Sequence, residues 1–85
     1  MMKMYVATGW EETEKRLYVK KENAIKDFNE IILEAKADPM LELMDVEAEW
    51  DETNPDDIFL IATAFDYERK DVCFASVELL EVEDL

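Results

Sequence analysis

The stretch ENAIKDFNEIILEAKA, residues 22–37, decides the fold, because its apolar residues recur at intervals of three and four. That spacing places side chains along one side of an α-helix. The stripe consists of Ala24, Ile25, Phe28, Ile31, Ile32 and Ala35. Asp38-Pro39 follows at once, and the residue before a proline is disfavoured in the helical region. The sequence therefore predicts an amphipathic helix that ends at Asp38.

Two strands are predicted before this helix. KMYVATGW (residues 3–10) and EKRLYVKK (residues 14–21) both alternate in the two-residue period of a strand. Between their regular parts lies GWEETE (residues 9–14), which contains the only glycine of the chain and a polar cluster. Such a segment is typical of a hairpin connection.

Three more strands are predicted after the helix, joined by short turns. In residues 44–51, Met44, Val46, Ala48 and Trp50 alternate with Asp45, Glu47, Glu49 and Asp51. TNPDD (residues 53–57) and ERKD (residues 68–71) have turn chemistry. IFLIATAFDY (residues 58–67) is apolar in both parities, which predicts a strand covered on two faces, and VCFASVELLEVE (residues 72–83) is the last strand. The predicted fold class is α+β in the order ββαβββ, with one antiparallel sheet and a single helix packed on one face. Residues 1–85 are expected to form a single domain.

This architecture raises a packing problem, because one helix covers only one face of a sheet. The last two strands nevertheless offer apolar side chains to both faces. Either sheet curvature and large side chains such as Trp10, Trp50 and Tyr67 close the second face, or another molecule does, for example in a homodimer. Trp50 shares its parity with Met44 and is expected in the core, whereas Trp10 is a candidate interface anchor.

The net charge of −14 lies entirely in the second half of the chain. Residues 1–36 carry seven basic and seven acidic side chains, whereas residues 37–85 carry sixteen acids against Arg69 and Lys70. Phosphates would be repelled, so nucleic acid and membrane surfaces are not expected as direct partners, and a basic protein surface is. The chain has no apolar window of membrane-spanning length, and its lone Cys73 is expected to be a buried hydrophobe. A cytoplasmic protein is predicted.

The acids are densest in LMDVEAEWDETNPDD, residues 43–57, which holds seven carboxylates and no Lys or Arg. If this segment is extended, the alternate acids share one face at a spacing of about 6.8 Å. Each neighbouring pair at that distance costs roughly 0.6 kcal/mol in bulk water. Two interpretations compete. The row is a solvated face that protects an edge strand, or it is a line of charge that imitates a phosphate backbone.

In size, in MDVEAEWDETNPDD (residues 44–57) and in ELLEVEDL (residues 78–85), the chain resembles a class of phage proteins. These are small acidic inhibitors, DNA mimics that block restriction or CRISPR nucleases. The resemblance covers the second half of the chain and implies a non-enzymatic, anti-CRISPR or anti-restriction type of inhibitor that works by occupancy. The charge-neutral first half departs from mimics that carry acids throughout.

Residues suited to catalysis or cofactor binding are scarce. The chain has no histidine, a single serine, Ser76, and a single glycine, which excludes the usual triads and Gly-rich phosphate loops. DETNPDD (residues 51–57) lacks the glycine of an EF-hand loop, so only incidental cation binding is expected there. The chain is predicted not to be an enzyme and to hold no cofactor and no metal.

The leading hypothesis is an acidic binding protein that occupies a basic, nucleic-acid-binding site on a partner, such as a nuclease, and inhibits it by nucleic-acid mimicry. The predicted partner-binding residues are Asp45, Glu47, Glu49, Asp51, Glu52, Asp56, Asp57, Glu81, Glu83 and Asp84. The alternative is a small structural or regulatory module that homodimerises or docks through an apolar sheet face.

Overall fold

The computed structural model describes residues 2–11 and 15–82, and for residues 2, 50, 51 and 82 it describes the backbone only. The elements in chain order are β1 (Met2–Thr8), β2 (Lys15–Tyr18), α1 (Lys21–Ala37), β3 (Leu41–Asp51), β4 (Asn54–Asp66) and β5 (Asp71–Val82). The predicted α+β class and the order ββαβββ are confirmed.

All five strands form one antiparallel sheet in the order β2-β1-β5-β4-β3. The first and last strands of the chain lie side by side, because β1 pairs with β5 as well as with β2. β3 and β2 are the two edges, so the strand that carries more of the predicted site residues than any other pairs with β4 alone. β3 begins at Leu41, three residues earlier than the alternation from Met44 predicts.

The helix α1 begins one residue before the stretch 22–37 that the sequence predicts and ends where Asp38-Pro39 predicts. It begins at Lys21 after an extended Lys20 and ends at Ala37, where Asp38 is again extended with φ −93° and ψ 115°. That conformation is the one expected ahead of Pro39, because the proline ring disfavours the helical region for the residue before it. Among the described residues no helix is long and apolar enough to cross a membrane.

The core lies between α1 and one face of the sheet. Phe28, 3% exposed, and Ala24 project from α1 against buried residues of β1, β4 and β5. Because Ala24 is small, the helix axis can come close to the sheet there. The buried cluster consists of Tyr5, Ala7, Ala24, Phe28, Ile58, Leu60, Ala62 and Val77. We call this face of the sheet the helix side and the opposite one the open face.

The prediction that residues 58–67 are covered on two faces is wrong. In β4 only alternate residues from Ile58 to Ala64 are buried, and these face α1. Phe59, on the other parity, is 37% exposed, and Ile61 is half-buried. A single helix supplies cover for one side of a sheet, and no other described element lies over the second side.

Two of the three large side chains expected to close the open face, Trp10 and Tyr67, do not do so. Trp10 is half-buried and packs against the core cluster on the helix side. Tyr67 is 47% exposed at one end of the sheet, where its ring meets Phe65 edge-on at a centroid distance of 5.1 Å. The side chain of Trp50, expected in the core, lies outside the described residues. Phe74, on the open face of β5, is 51% exposed, so sheet curvature does not cover it either.

A polar cluster joins β2 to α1. The Arg16 guanidinium donates to the Asp27 carboxylate at 2.6 Å and 3.0 Å, and the Tyr18 hydroxyl donates to it at 2.5 Å. Burial acts to raise the pKa of Asp27, but the hydrogen bonds and the charge of Arg16 outweigh it and hold this pKa below its usual 3.8. The short strand β2 is thus tied to the helix by a charge-assisted contact.

Replacing Phe28 by alanine should remove about 3–5 kcal/mol from the free energy of unfolding, because the buried ring leaves a cavity. The matched control is Leu33→Ala on α1, where the side chain is 63% exposed and the cost should stay within about 0.5 kcal/mol. Urea denaturation followed by circular dichroism measures both. Equal losses in the two variants would show that the core does not lie under Phe28.

The Asp27 contact should make a pH-dependent contribution to stability. Its folded-state pKa is lowered, so the contribution is full above the ordinary value near 3.8 and is lost as the pH falls through the folded-state pKa. Asp27→Asn should therefore lower the free energy of unfolding by about 2 kcal/mol at neutral pH. The loss should become progressively smaller as the pH falls below 3.8. Urea denaturation of both proteins between neutral and strongly acidic pH measures the difference. A difference that stays constant in acid would contradict this role for Asp27.

Candidate functional site

Three of the predicted site residues stand side by side along the edge of the sheet. Asp45, Glu47 and Glu49 lie on β3, and all three side chains are exposed. Glu49 lies opposite Phe59 of β4, so the three carboxylates belong to the open face and point away from α1. Alternate residues of a strand are about 6.8 Å apart, so the carboxylates form a regular line facing solvent.

A fourth carboxylate joins this line because β3 contains a β-bulge. The pairing of β3 with β4 shifts by one residue between Leu43 and Asp45, so Met44 is an extra residue. Ahead of the bulge it is the even-numbered Glu42 that lies opposite Phe65 on the open face. Strict alternation assigns residue 42 to the helix side, and nothing in the sequence marks Met44 as a bulge. We call the four residues of this line the acidic row: Glu42, Asp45, Glu47 and Glu49.

Glu42 differs from the rest of the row because it accepts a hydrogen bond. The Tyr67 hydroxyl donates to Glu42 Oε2 at 2.5 Å, and this bond, with a smaller effect of burial, raises the pKa of Tyr67. The Tyr67 ring in turn lies against Phe65. The Glu42 carboxylate, at one end of the acidic row, is therefore oriented by Tyr67, whose ring packs against Phe65.

The predicted site residues of the β3–β4 hairpin lie beyond the row. Glu52, Asp56 and Asp57 are exposed, and Asp51 ends β3, with its side chain outside the described residues. They extend the negative charge around the end of the sheet.

Two contacts hold that hairpin toward the helix. The Tyr5 hydroxyl donates to the Asp56 carbonyl at 2.8 Å, and Lys21 Nζ donates to the Pro55 carbonyl at 2.9 Å. Burial is the main cause that raises the pKa of Tyr5, and the nearby carboxylates of Asp56 and Asp57 add to it. The hairpin acids are thus grouped near the start of α1 and not only on the open face.

The remaining predicted site residues are not brought to the acidic row. Glu81 is exposed and lies opposite Lys3 of β1, in the parity of β5 that faces the helix side. Because β5 is two strands away from β3, Glu81 belongs to a different part of the surface. Glu83 and Asp84 lie outside the described residues.

The acidic row carries its charge without basic partners in the described part of the chain. The ion pair found there joins Arg16 to Asp27, between β2 and α1. Of the basic residues on the described strands, Lys3 and Arg16 have the parity of the helix side, and Lys15 alone has that of the open face. Lys15 lies on β2, at the edge opposite β3. The row is therefore a source of unneutralised negative potential.

Apolar side chains continue from the acidic row across the open face. Opposite Asp45 lies Thr63, and Phe74 lies beyond it on β5. Glu42 is likewise followed by Phe65 and then by Val72. The large hydrophobic residues exposed on this face, with their exposed fractions, are Leu17 59%, Phe59 37%, Val72 43%, Phe74 51% and Leu80 46%. The open face thus combines an apolar surface with an acidic border along β3 and the exposed Glu78 near its centre.

Reactive groups and metal ligands do not gather in the described residues. No group of three or more Asp, Glu, Cys or His there has the geometry to hold a metal ion. Cys73 is buried and its thiol donates to the Ala64 carbonyl at 3.4 Å; burial raises its pKa, followed by the charges of Asp66 and Asp71. A raised pKa suppresses the reactive thiolate, so Cys73 acts as a small apolar residue.

A shallow cleft of about 460 Å³ opens between the β1–β2 connection and the end of α1. Trp10, Asp38, Met40 and Arg69 contribute to its walls. The indole Nε1 of Trp10 is buried and finds no hydrogen-bond acceptor among the described residues. Trp10 thus packs against the core as a half-buried side chain, and its indole N–H has no acceptor in the described part of the chain.

Comparison of the chain with protein-family models, with curated proteins and with solved structures finds no match.

The repulsion within the acidic row predicts that reversing one charge stabilises the fold. Glu47→Lys replaces two repulsive neighbours by two attractive ones, so the free energy of unfolding should rise by about 1 kcal/mol at low salt. Glu68→Lys, in the turn before β5, changes the net charge equally and should have a smaller effect. Urea denaturation at low and high ionic strength measures both, and salt should shrink the gain. A loss of stability in Glu47→Lys would contradict the described row.

Proposed function

We propose that this protein is a non-enzymatic acidic binding protein that occupies a basic, nucleic-acid-binding site on a partner protein and inhibits the partner by nucleic-acid mimicry. The acidic row supports this proposal. Asp45, Glu47 and Glu49 are exposed at one edge of the sheet, at a regular spacing and without basic partners among the described residues. A line of fixed anions of this kind has the charge pattern that a phosphate-binding groove attracts.

The rigidity of the row also supports the proposal. β3 is hydrogen-bonded to β4 along the row, so the carboxylates project from a strand and not from a loop. The backbone spacing is then set before a partner arrives, and less conformational entropy is lost on binding. Exposed carboxylates also steer a basic partner from a distance, which raises the association rate at low salt.

Protection of the sheet edge is a second consequence of the same charges. β3 is an edge strand, and pairing of two copies along β3 would bring carboxylates of both rows together. Like charges facing each other across a strand pair are destabilising. The row therefore disfavours edge-to-edge association of the protein with itself while it attracts a basic partner.

A second candidate function is a module that homodimerises or docks through the open face. The exposed apolar residues of that face favour it, above all Phe74 and Leu17. Large exposed apolar patches commonly mark interaction surfaces. The affinity of such a contact would depend little on salt, which distinguishes it from binding by the acidic row.

The test is displacement of fluorescently labelled duplex DNA from purified restriction and CRISPR nucleases. The protein should displace the DNA, and the double variant Glu47→Lys/Glu49→Lys should do so at least about tenfold less well, because two phosphate substitutes become cations. The matched control is Glu30→Lys/Glu34→Lys, which changes the net charge equally at exposed positions of α1 and should change displacement by less than about threefold.

Salt dependence provides a further check on the same measurement. Displacement by the unchanged protein should weaken steeply with rising ionic strength, because the charges on both partners are exposed. Displacement that is equally strong in Glu47→Lys/Glu49→Lys would contradict a role for the row. Failure to displace DNA from any nuclease tested, combined with a stable homodimer at low and high salt, would favour the second candidate function.

A further inference from the structure

The apolar residues of the open face form a strip along β4 and the start of β5. On β4 it runs from the exposed Phe59 through the half-buried Ile61 to the half-buried Phe65, and on β5 it includes the exposed Val72 and Phe74. Seven strand residues span about 20 Å, and two strands are about 10 Å wide. These are the dimensions of a helix of about 14 residues, which is about 20 Å long and 10 Å in diameter. The strip therefore has the size of one helix face.

The acidic row runs beside this strip on β3 over the same length. Glu49 lies opposite Phe59 at one end, and Glu42 lies opposite Phe65 at the other. Carboxylates on alternate residues of β3 are about 6.8 Å apart along the strand. Residues i and i+4 of a helix are about 6 Å apart along its axis. Lys or Arg side chains at that helical spacing would meet successive carboxylates of the row.

A second copy of the chain fits this surface poorly. Glu78 lies in β5 at the centre of the sheet, on the open face between Phe59 and Val6, and it is exposed. Two stacked open faces would enclose both copies of Glu78 together with their acidic rows. Lys15 is the only basic residue that the described strands place on the open face in return. Enclosing unpaired carboxylates is costly, so the charges select against a homodimer.

We propose that the strip and the acidic row form one docking surface for an amphipathic helix of a partner protein. The apolar side of that helix lies on Phe59, Phe65 and Phe74, and its Lys or Arg residues face the acidic row. This inference rests on the proposed function for the role of the row, and adds that the neighbouring apolar strip is part of the same contact. The affinity for the partner helix then has two parts: the contribution of the acidic row weakens with salt, and that of the apolar strip does not.

The experiment uses two synthetic peptides of about 18 residues, long enough to cover the strip as a helix. One peptide has leucines and lysines at amphipathic helical spacing, and in the other every leucine is replaced by glutamine at unchanged charge. Isothermal titration at low and high salt measures the affinity of each for the full chain. Amide chemical shifts of the isotopically labelled protein locate the peptide.

The leucine peptide should bind at least about tenfold more tightly than the glutamine peptide. Phe74→Thr should remove about tenfold of that affinity without changing binding of the glutamine peptide. Val72→Thr, nearly unchanged in shape, serves as a second variant should Phe74→Thr fail to fold. The matched control is Leu33→Gln, which removes an exposed leucine from α1 and should leave both affinities unchanged. Shifts should map to β3, β4 and β5.

The two proposals fail in different ways. Equal affinities of the two peptides, or no effect of Phe74→Thr and Val72→Thr, would overturn the docking of a helix on the strip while leaving the acidic row intact. Glu47→Lys/Glu49→Lys that binds both peptides unchanged would overturn the role of the row itself. Sedimentation that shows a homodimer dissociated by Phe74→Thr would identify a second copy as the occupant and overturn the inference.

Discussion

A single helix about 10 Å across lies on a five-stranded sheet that is about 20 Å wide, and the rest of the structure follows from this mismatch. On the helix side the core is built around Phe28 and Ala24, close to the middle of the sheet. Leu43 of the edge strand β3 packs against this core, whereas Val46, farther along β3 with the parity of the helix side, is 45% exposed, so the cover ends within β3. On the open face nothing among the described residues covers β4 and β5.

The distribution of charge is compatible with this incomplete cover. Every copy carries a net charge of −14, so copies repel one another in solution even though Phe74 and Leu17 expose apolar surface. The acidic row adds a local effect at the edge strand, where unpaired backbone groups would otherwise invite pairing with another chain. Repulsion within the row lowers the stability of the fold. The same charges thus oppose self-association of the protein.

In the contact that we propose, the acidic row and the apolar strip differ in what they contribute to recognition. Exposed charges mainly determine which partners approach and how fast, whereas burial of aromatic side chains such as Phe74 determines how slowly they leave. Because Glu49 and Phe59 lie directly opposite each other on neighbouring strands, a partner that covers one covers the other. The two features therefore act on the same side of the molecule.

Periodicity in the sequence determined the elements, because the apolar spacing of residues 22–37 and the alternation along the flanking segments depend only on neighbouring residues. The position of Asp38 before Pro39 likewise determined where the helix ends. Three features depended on the tertiary structure: the edge position of β3, the bulge at Met44 that brings Glu42 into the acidic row, and the open face beside Phe59. Each arises from pairing or packing between segments distant in the chain. The alternation of side chains along a strand shows that the sheet has two faces, but only the position of the helix decides which face is buried.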